Sequence, residues 1–559
     1  MVGVKNPMPG VVYPERADLE RYAEAGLFSS ETMGEAIKSL AQRFPTSIAV
    51  SDLRSSMTFA ELDDLTDRVA AGLLDAGLRP LDRAAFQVPN GISLVVSFVA
   101  CLKAGIIPIC TLTAHRRAEI GYLAHHARAR AHFIYTDDPK FDFIAFAREM
   151  RTVAPSLELT VVVRGPNETG DTSFVTLDDL AKRGAAGPAR ARLGQVERDP
   201  YQVAVFQLSG GTSGIPKIIP RFHNEYLYQM RTVAAWHGLD ENTVAFSPAP
   251  MMHNAPIICY WGAVLWSGGQ AVCAAKLDPE TLAQTIAARR PNWMSIPLPL
   301  LLNMKNAGLI DRAIFSNARM STPNHAQRLS DLTGARALPL YGMTEGIISY
   351  GRVGDPDFVI EKTVGRPVGP LDEFTIVDPA SGAPLSPGEL GEFLFKGPCS
   401  CRGYYDAEDR NKEAFTSDGF CRSGDLMRIH AIDGVNYVSF EGRVKDVVSR
   451  GGEKINCQEV ERALINHPGI GAIAIVPMPD PTFGEKACAF IIPAREAKAP
   501  SVKEAGIFLE EAGLAKFKWP ERVEIVTEFP ITSSGKVSKP RLREIIADTL
   551  KQESGETTV

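Results

Sequence analysis

Hydrophobic spacing divides the chain into alternating strands and helices. From Ser30 to Phe44, Met33, Ala36, Ile37, Leu40 and Phe44 fall on one face of a helix, with Ser30 before Glu31 as its N-cap region. A strand at Ile48 to Ser51 follows, then a helix that opens at Thr58 and runs to about Ala76, with Thr58 and Glu61 spaced as a capping box. Arg83 to Val88 reads as a strand, Ser93 to Gly105 as a helix and Ile107 to Leu112 as the next strand. This alternation predicts a mostly parallel sheet with helices on both faces. Farther on, the apolar run Val203 to Phe206 predicts a buried strand, Tyr226, Met230 and Val233 mark a helix from Asn224 to Trp236, and Ala245 to Pro250 reads as a further strand end. Near the C-terminus a helix starting at Cys457 or Gln458, strands at Ala472 to Val476, Ala487 to Ile492 and Val523 to Ile525, and a helix from Val502 to Ala512 predict a small α+β domain of about 110 residues.

At 559 residues the chain is too long for one ordinary core. The hydrophobic content of 45% with 23% charged residues is that of a soluble globular protein, and the net charge of -6 gives no reason to expect nucleic acid. Met1 to Arg16 holds charges and three prolines where a signal peptide needs an apolar run. Ile92 to Leu112 is apolar but carries Lys103, Gly105 and Pro108, so it reads as a buried helix leading into a strand and not as a membrane span. The nine cysteines are scattered, and Cys399 and Cys401 are too close for a zinc half-site, so reduced thiols in a cytoplasmic protein are expected. The histidines form no H-E-x-x-H set, adjacent His125 and His126 point apart on a helix, and no structural metal is expected.

Candidate chemistry centres on Gln207 to Arg221, where Ser209, Gly210, Gly211, Thr212, Ser213 and Gly214 lie between the strand and the helix, followed by Lys217. Small residues expose backbone N–H groups to an oxyanion, hydroxyls add donors and Lys217 adds charge, which suits a polyphosphate. It is not a Walker loop, because Ile215 and Pro216 separate Gly214 from Lys217. The order Ser-Gly-Gly-Thr-Ser-Gly-Ile-Pro-Lys resembles the phosphate-binding signature of the adenylate-forming superfamily of acyl-CoA synthetases, luciferases and adenylation domains. Further stretches carry the same resemblance: Tyr341-Gly342-Met343-Thr344-Glu345 matches its Y-G-x-T-E core, Ser423-Gly424-Asp425 its ribose motif, Gly442 to Asp446 its G-R-x-K-D stretch, and Pro530 to Lys536 its P-x-T-x-x-G-K motif.

The resemblance implies an α/β fold, with a large N-terminal domain of mostly parallel sheets over residues 1–444 and a small mobile lid over residues 445–559. It implies conversion of a carboxylate and ATP into acyl-AMP and pyrophosphate, then transfer to the phosphopantetheine thiol of a carrier protein or CoA. The serine, threonine and glycine loop with Lys217 would hold the β- and γ-phosphates, Glu345 a Mg²⁺ ion, Thr344 the α-phosphate, Tyr341 and Gly342 the adenine, and Asp425 with Arg443 the ribose. Lys536 would bridge the carboxylate and the α-phosphate, Lys445 would be the hinge, and Gly451 and Gly452 would flank the thiol tunnel.

The resemblance is closest to 2,3-dihydroxybenzoate and salicylate adenylating enzymes of siderophore synthesis. It is carried by Gln207 to Gly211, Pro220 to Asn224, His253-Asn254, Gly451 to Ile455, and Thr113 to Ile120, where His115 and Arg116 have a structural reading as a helix start. In those enzymes the acid pocket matches His253, Asn254, Ala255, Cys259, Ser316, Asn317, Ala318 and Leu340. Cys259 disfavours a 3-hydroxyl, since a thiol is a weak hydrogen-bonding partner, and points to a salicylate-like acid. Ala255 replaces a bulky aromatic and enlarges the pocket, and Ser316-Asn317-Ala318 replaces Gly-Gly-Ala. The alternatives are a catabolic acyl-CoA ligase for a benzoate-like or alicyclic acid and a non-catalytic nucleotide-binding protein. A monomer or homodimer without membrane attachment is expected.

Overall fold

The computed structural model describes residues 2–167, 169–209, 216–322, 326–450, 453–532 and 536–554. The chain forms two compact units, one of Met1–Glu373 with Phe395–Cys421 and the other of Phe374–Leu394 with Arg422–Val559.

The first unit is built on two large sheets. Among the described residues, one has seven strands in the order Phe174–Thr176, Leu159–Arg164, Ala129–Tyr135, Arg83–Phe86, Ile107–Ile109, Val203–Ser209 and Lys217–Phe222. All of its pairings are parallel except the last. The other has nine strands, with a parallel centre running from Arg336–Gly342 through Arg319–Thr322, Trp293–Met294, Val244–Phe246 and Gln270–Val272 to Ile48–Ser51. Parallel strands need crossover helices, which explains why Ile92–Ala104, between the parallel strands Arg83–Phe86 and Ile107–Ile109, is apolar and buried.

Two expectations are corrected by the local geometry. The first amphipathic helix spans Met33–Arg43 and is capped by Thr32 with Glu35, a complete capping box, and not by Ser30. The stretch after the glycine loop is not loop as far as Arg221: Lys217–Phe222 is a strand antiparallel to Val203–Ser209. Pro216 and Pro220 mask it in the sequence, yet it lies at the sheet edge, where a missing N–H is tolerated. The expected box at Thr58 and Glu61 forms as read.

In the second unit, Glu373–Val377, Leu390–Lys396, Cys421–Ile432 and Val435–Arg443 make a four-stranded sheet. A five-stranded sheet carries Gly484–Pro493 antiparallel to Ile470–Asp480 and parallel to Arg522–Ile525. Residue 445 falls inside this unit because helix Cys457–Leu464 is tied to the end of the long hairpin. Asn456 Nδ2 donates to the Glu441 carbonyl at 2.7 Å, and Arg462 donates to Glu441 Oε2 at 2.9 Å and to the Phe440 carbonyl at 2.6 Å.

Candidate active site

The first cluster forms where the glycine loop leaves its hairpin. Ser209 pairs with Lys217 in the antiparallel register, so the two ends of the loop are held together; Gly210, Gly211, Thr212, Ser213 and Gly214 lie outside the described residues. Lys217 Nζ sits 4.4 Å from the centre of the Tyr404 ring and donates to the Tyr404 hydroxyl at 3.1 Å. That hydroxyl donates in turn to Glu345 Oε1 at 3.0 Å. Sequence reasoning did not single out Tyr404, whose only signal is a second aromatic in Arg402-Gly403-Tyr404-Tyr405.

Glu345 belongs to the turn that ends strand Arg336–Gly342. Around it Tyr341 and Thr344 are half-buried and Gly342 is exposed, while Glu345 itself is buried. Two features fix the turn. The Gly346 N–H donates to the Met343 carbonyl at 3.1 Å, and the Cys401 N–H donates to the Glu345 carbonyl at 2.7 Å. Gly346 has φ +129°, and a Cβ there would meet the Cys399 carbonyl oxygen at 1.8 Å, so only glycine fits. A buried carboxylate bonded by one hydroxyl at one oxygen is a hard donor with coordinating capacity to spare, which fits Mg²⁺.

The second cluster surrounds Arg221, which is 1% exposed. Its Nε donates to Glu225 Oε2 at 3.1 Å, and Nη2 donates to Glu225 Oε1 and to Gln229 Oε1, the latter at 2.7 Å. Nη1 donates to the Thr344 carbonyl at 3.1 Å and to Asn254 Oδ1 at 3.4 Å. All five guanidinium hydrogens are thus used. Burial works against the charge, and the Glu225 carboxylate outweighs it, holding Arg221 above its already high range. In the sequence Arg221 lies within the stretch Pro220 to Asn224, and its only signal of a larger role is a charge inside the apolar strand Ile218 to Phe222.

His253 caps the six-residue helix Asn254–Cys259 and is half-buried, Asn254 is buried and Ala255 is exposed. Cys259 is fully buried beside the Tyr350 phenol, and burial pushes its thiol up to about 12. Nearby, Tyr260 Oη and Ser321 Oγ lie 2.6 Å apart, and Ser321 Oγ and Tyr350 Oη 3.2 Å apart. Leu340 is buried and pairs with Tyr350 across the sheet. The expected contribution of Ser316 and Asn317 is corrected. Both are exposed and, with buried Ala318, precede strand Arg319–Thr322, whereas ligands gather at the opposite, C-terminal ends of parallel strands. Ser321 and Thr322 hold that end; residues 323–325, which follow, lie outside the described residues. His115 and Arg116 are structural: His115 Nδ1 accepts from the Leu112 N–H, and Arg116 lies over the Phe141 ring.

In the second unit the hairpin register sets Asp425 opposite Arg443, with Arg443 Nε 3.4 Å from Asp425 Oδ1. Lys536 is held by a short closure in which the Thr532 N–H donates to the Lys536 carbonyl at 2.7 Å and the Lys536 N–H to Thr532 Oγ1 at 3.2 Å. Desolvation first and the Arg443 charge second lower the ammonium below the usual lysine range, against the pull of Asp425, although the side chain keeps an open surface. Lys445 is exposed in the short helix Val444–Asp446, its carbonyl accepting from Arg543 Nη2 at 2.9 Å. Gly451 and Gly452 lie outside the described residues, and the Ser449 N–H before them donates to Glu485 Oε2 at 2.8 Å. All nine cysteines are buried, and among the described residues no cluster of three or more His, Cys, Asp and Glu could hold a metal. Among the described residues no helix is long and apolar enough to cross a membrane.

The chain matches the family model of the AMP-binding enzymes over residues 37–405 and that of their C-terminal domain over residues 459–536. It is 36% identical to a salicylyl-CoA synthase / salicylate adenylyltransferase of a Streptomyces species, covering 96% of this chain and 97% of that one. It is 35% identical to a 2,3-dihydroxybenzoate-AMP ligase of Bacillus subtilis, covering 95% and 96%. Among solved structures, apo MbtA of Mycobacterium smegmatis superposes with a TM-score of 0.71 at 31% identity, covering 96% of this chain and 98% of that one. The chain therefore belongs to the AMP-binding, adenylate-forming family of acid–AMP ligases.

Proposed function

We propose that the protein activates an aromatic carboxylic acid of the salicylate type to its acyl-AMP and passes the acyl group to a phosphopantetheine thiol of a carrier protein or CoA. The observation that carries this reading is the shared frame of the two clusters. Arg221 holds both Asn254, beside the acid pocket, and the carbonyl of Thr344, next to the carboxylate that Tyr404 joins to Lys217.

A carboxylate attacks phosphorus only if two anions are brought together, so the work of the residues is positioning and charge neutralisation. Ser209, Gly210, Gly211, Thr212, Ser213 and Gly214 with Lys217 hold the β- and γ-phosphates, Thr344 the α-phosphate, and Tyr341 and Gly342 the adenine face. Asp425 accepts from the ribose hydroxyls beside Arg443, and Lys536 offsets the charge shared by the acid carboxylate and the α-phosphate. Mg²⁺, held by Glu345, would neutralise phosphate oxygens when bound. His253, Asn254, Ala255, Cys259 and Leu340 border the acid. Lys445 is the hinge between the two half-reactions, with Gly451 and Gly452 beside the thiol, which puts the domain boundary of the mechanism at 445. The buried thiols supply no nucleophile: burial pushes Cys401, Cys457 and Cys488, like Cys259, up to about 12.

The reading is tested by incubating the protein with ATP, Mg²⁺ and salicylate and recording the acyl-AMP by mass spectrometry. Adding CoA or a phosphopantetheinylated carrier then identifies the acceptor. Formation of AMP without any acyl-AMP or thioester would refute it.

A further inference from the structure

Residues 2–15 lie ahead of the stretch that matches the AMP-binding family model, which begins at residue 37, yet they are pinned at several points within the first unit. Pro7, Pro9 and Pro14 stiffen them, and they run as neither helix nor strand. Their anchors stand beside the strand that leads into the glycine loop. The Lys5 N–H donates to Asp199 Oδ2 at 2.8 Å, Gln202 Nε2 donates to the Asn6 carbonyl at 2.8 Å, and the Tyr13 hydroxyl donates to Gln202 Oε1 at 2.7 Å. Between and beyond these anchors the segment meets the turn Arg402-Gly403-Tyr404-Tyr405-Asp406. The Asp406 N–H donates to the Gly10 carbonyl at 2.9 Å. Gly10 has φ +80°, and a Cβ there would touch the Tyr405 ring at 3.0 Å, while a Cβ on Gly403 would meet Val12 Cγ2 at 2.6 Å. Asp18, in the first turn of helix Arg16–Glu24, accepts from Arg402 Nη2 at 2.6 Å. Asp406 itself has φ +46°, a left-handed conformation uncommon outside glycine and held here by the bond to Gly10.

The turn so held carries Tyr404, 3% exposed, whose hydroxyl accepts from Lys217 Nζ and donates to Glu345 Oε1. An ammonium and a carboxylate this close would otherwise pair directly, and the pair would occupy both the phosphate ligand and the metal ligand. A hydroxyl that takes a hydrogen bond from one and gives one to the other keeps them apart. We infer that residues 5–18 are a positioning strap for the nucleotide site: Gly10, Val12 and Asp18 set the 402–406 turn and, through it, the Tyr404 hydroxyl that spaces Lys217 from Glu345, so the N-terminal segment governs the Mg²⁺ dependence of ATP binding. This rests on the roles given above to Lys217 and Glu345 and adds a remote element to them.

The test is ATP binding by calorimetry at graded Mg²⁺, with acid-dependent ATP/pyrophosphate exchange beside it. Wild type is compared with a variant lacking residues 2–12, with Asp18→Asn and Asp18→Glu, and with the deletion and Asp18→Asn each combined with Tyr404→Phe. The Mg²⁺ concentration for half-maximal ATP binding is expected to rise about two- to tenfold in the deletion and in Asp18→Asn, with the acid KM unchanged and most of the loss recovered in Asp18→Glu. In the Tyr404→Phe background the same changes add little, because the group they position is gone. Packing alone would instead lower the thermal midpoint and give fold-changes that multiply with those of Tyr404→Phe. The midpoint is read for every variant, and if the deletion fails to fold, Asp18→Asn and its recovery by Asp18→Glu decide. Wild-type Mg²⁺ dependence in folded strap variants, fold-changes that multiply with Tyr404→Phe, or an equal rise in the acid KM overturns this inference and leaves acid activation standing. ATP binding without exchange for any acid refutes acid activation and leaves the strap to the binding data, whereas a wild type that binds no ATP overturns both.

Discussion

Replacing Arg221 by methionine tests the frame of the site. The side chain keeps its length but leaves the Glu225 carboxylate buried, at 5% exposure, without its counter-ion. Breaking a buried pair from one side costs about 3–5 kcal/mol. In a unit of roughly 400 residues, with an unfolding entropy of about 2 cal/mol/K per residue, that lowers the thermal midpoint by about 4–6 °C. The loss depends on pH. Burial already raises the Glu225 carboxyl against the pull of Arg221, and without Arg221 its folded value climbs further above the unfolded value of about 4.3. A raised carboxyl keeps its stability below the unfolded value and loses it as pH rises through the folded one, by at most about 1.4 kcal/mol per pH unit. The deficit against wild type is therefore larger at pH 8 than at pH 5.5. Arg221→Met with Glu225→Met removes both charges and recovers most of the midpoint without restoring acid selectivity. Thermal unfolding of the three proteins across that range is the assay. A shift under about 1 °C, a double variant no better than the single, or a deficit that grows toward acid pH would refute the reasoning.

Four further outcomes follow from the same geometry. Tyr404→Phe keeps the ring over Lys217 but frees Glu345, so the Mg²⁺ concentration needed for half-maximal exchange, and the Mg²⁺ dependence of ATP binding by calorimetry, rise several-fold while the acid KM is unchanged. Gly346→Ala forces a Cβ onto the Cys399 carbonyl and lowers soluble yield or the thermal midpoint. Asp425→Ala removes a charged acceptor and weakens ATP binding by about 10–100-fold, read by calorimetry. Ala255→Tyr fills the open position beside Asn254 and lowers kcat/KM for bicyclic aromatic acids at least about tenfold relative to salicylate.

Much of the molecule was legible in the chain because its signals are local. The capping box at Thr58 and Glu61, the alternating strands and helices of the first 112 residues, the strand before the glycine loop and the helix from about Asn224 follow from periodicity and cap chemistry, whereas the strand Lys217–Phe222 between them was hidden by its prolines. What local pattern misses is pairing at a distance. Arg221 contacts Asn254 and Thr344, which are 33 and 123 positions away, and Tyr404 contacts Lys217 from 187 positions away. Neither partner can be read from spacing, and only a charge in an apolar strand hinted at the first. The displaced Ser316-Asn317 expectation has a related cause: motif matching fixes residues along the chain, whereas the end of a strand that faces ligand depends on where pairing begins, here at Arg319.

The most direct test of the account is acid-dependent ATP/pyrophosphate exchange by the full chain over a panel of aromatic and alicyclic acids, with Lys536→Ala beside it. The account predicts exchange led by an ortho-substituted aromatic acid and reduced by orders of magnitude in the variant. Exchange led by alicyclic acids, or no exchange with any acid, would contradict it.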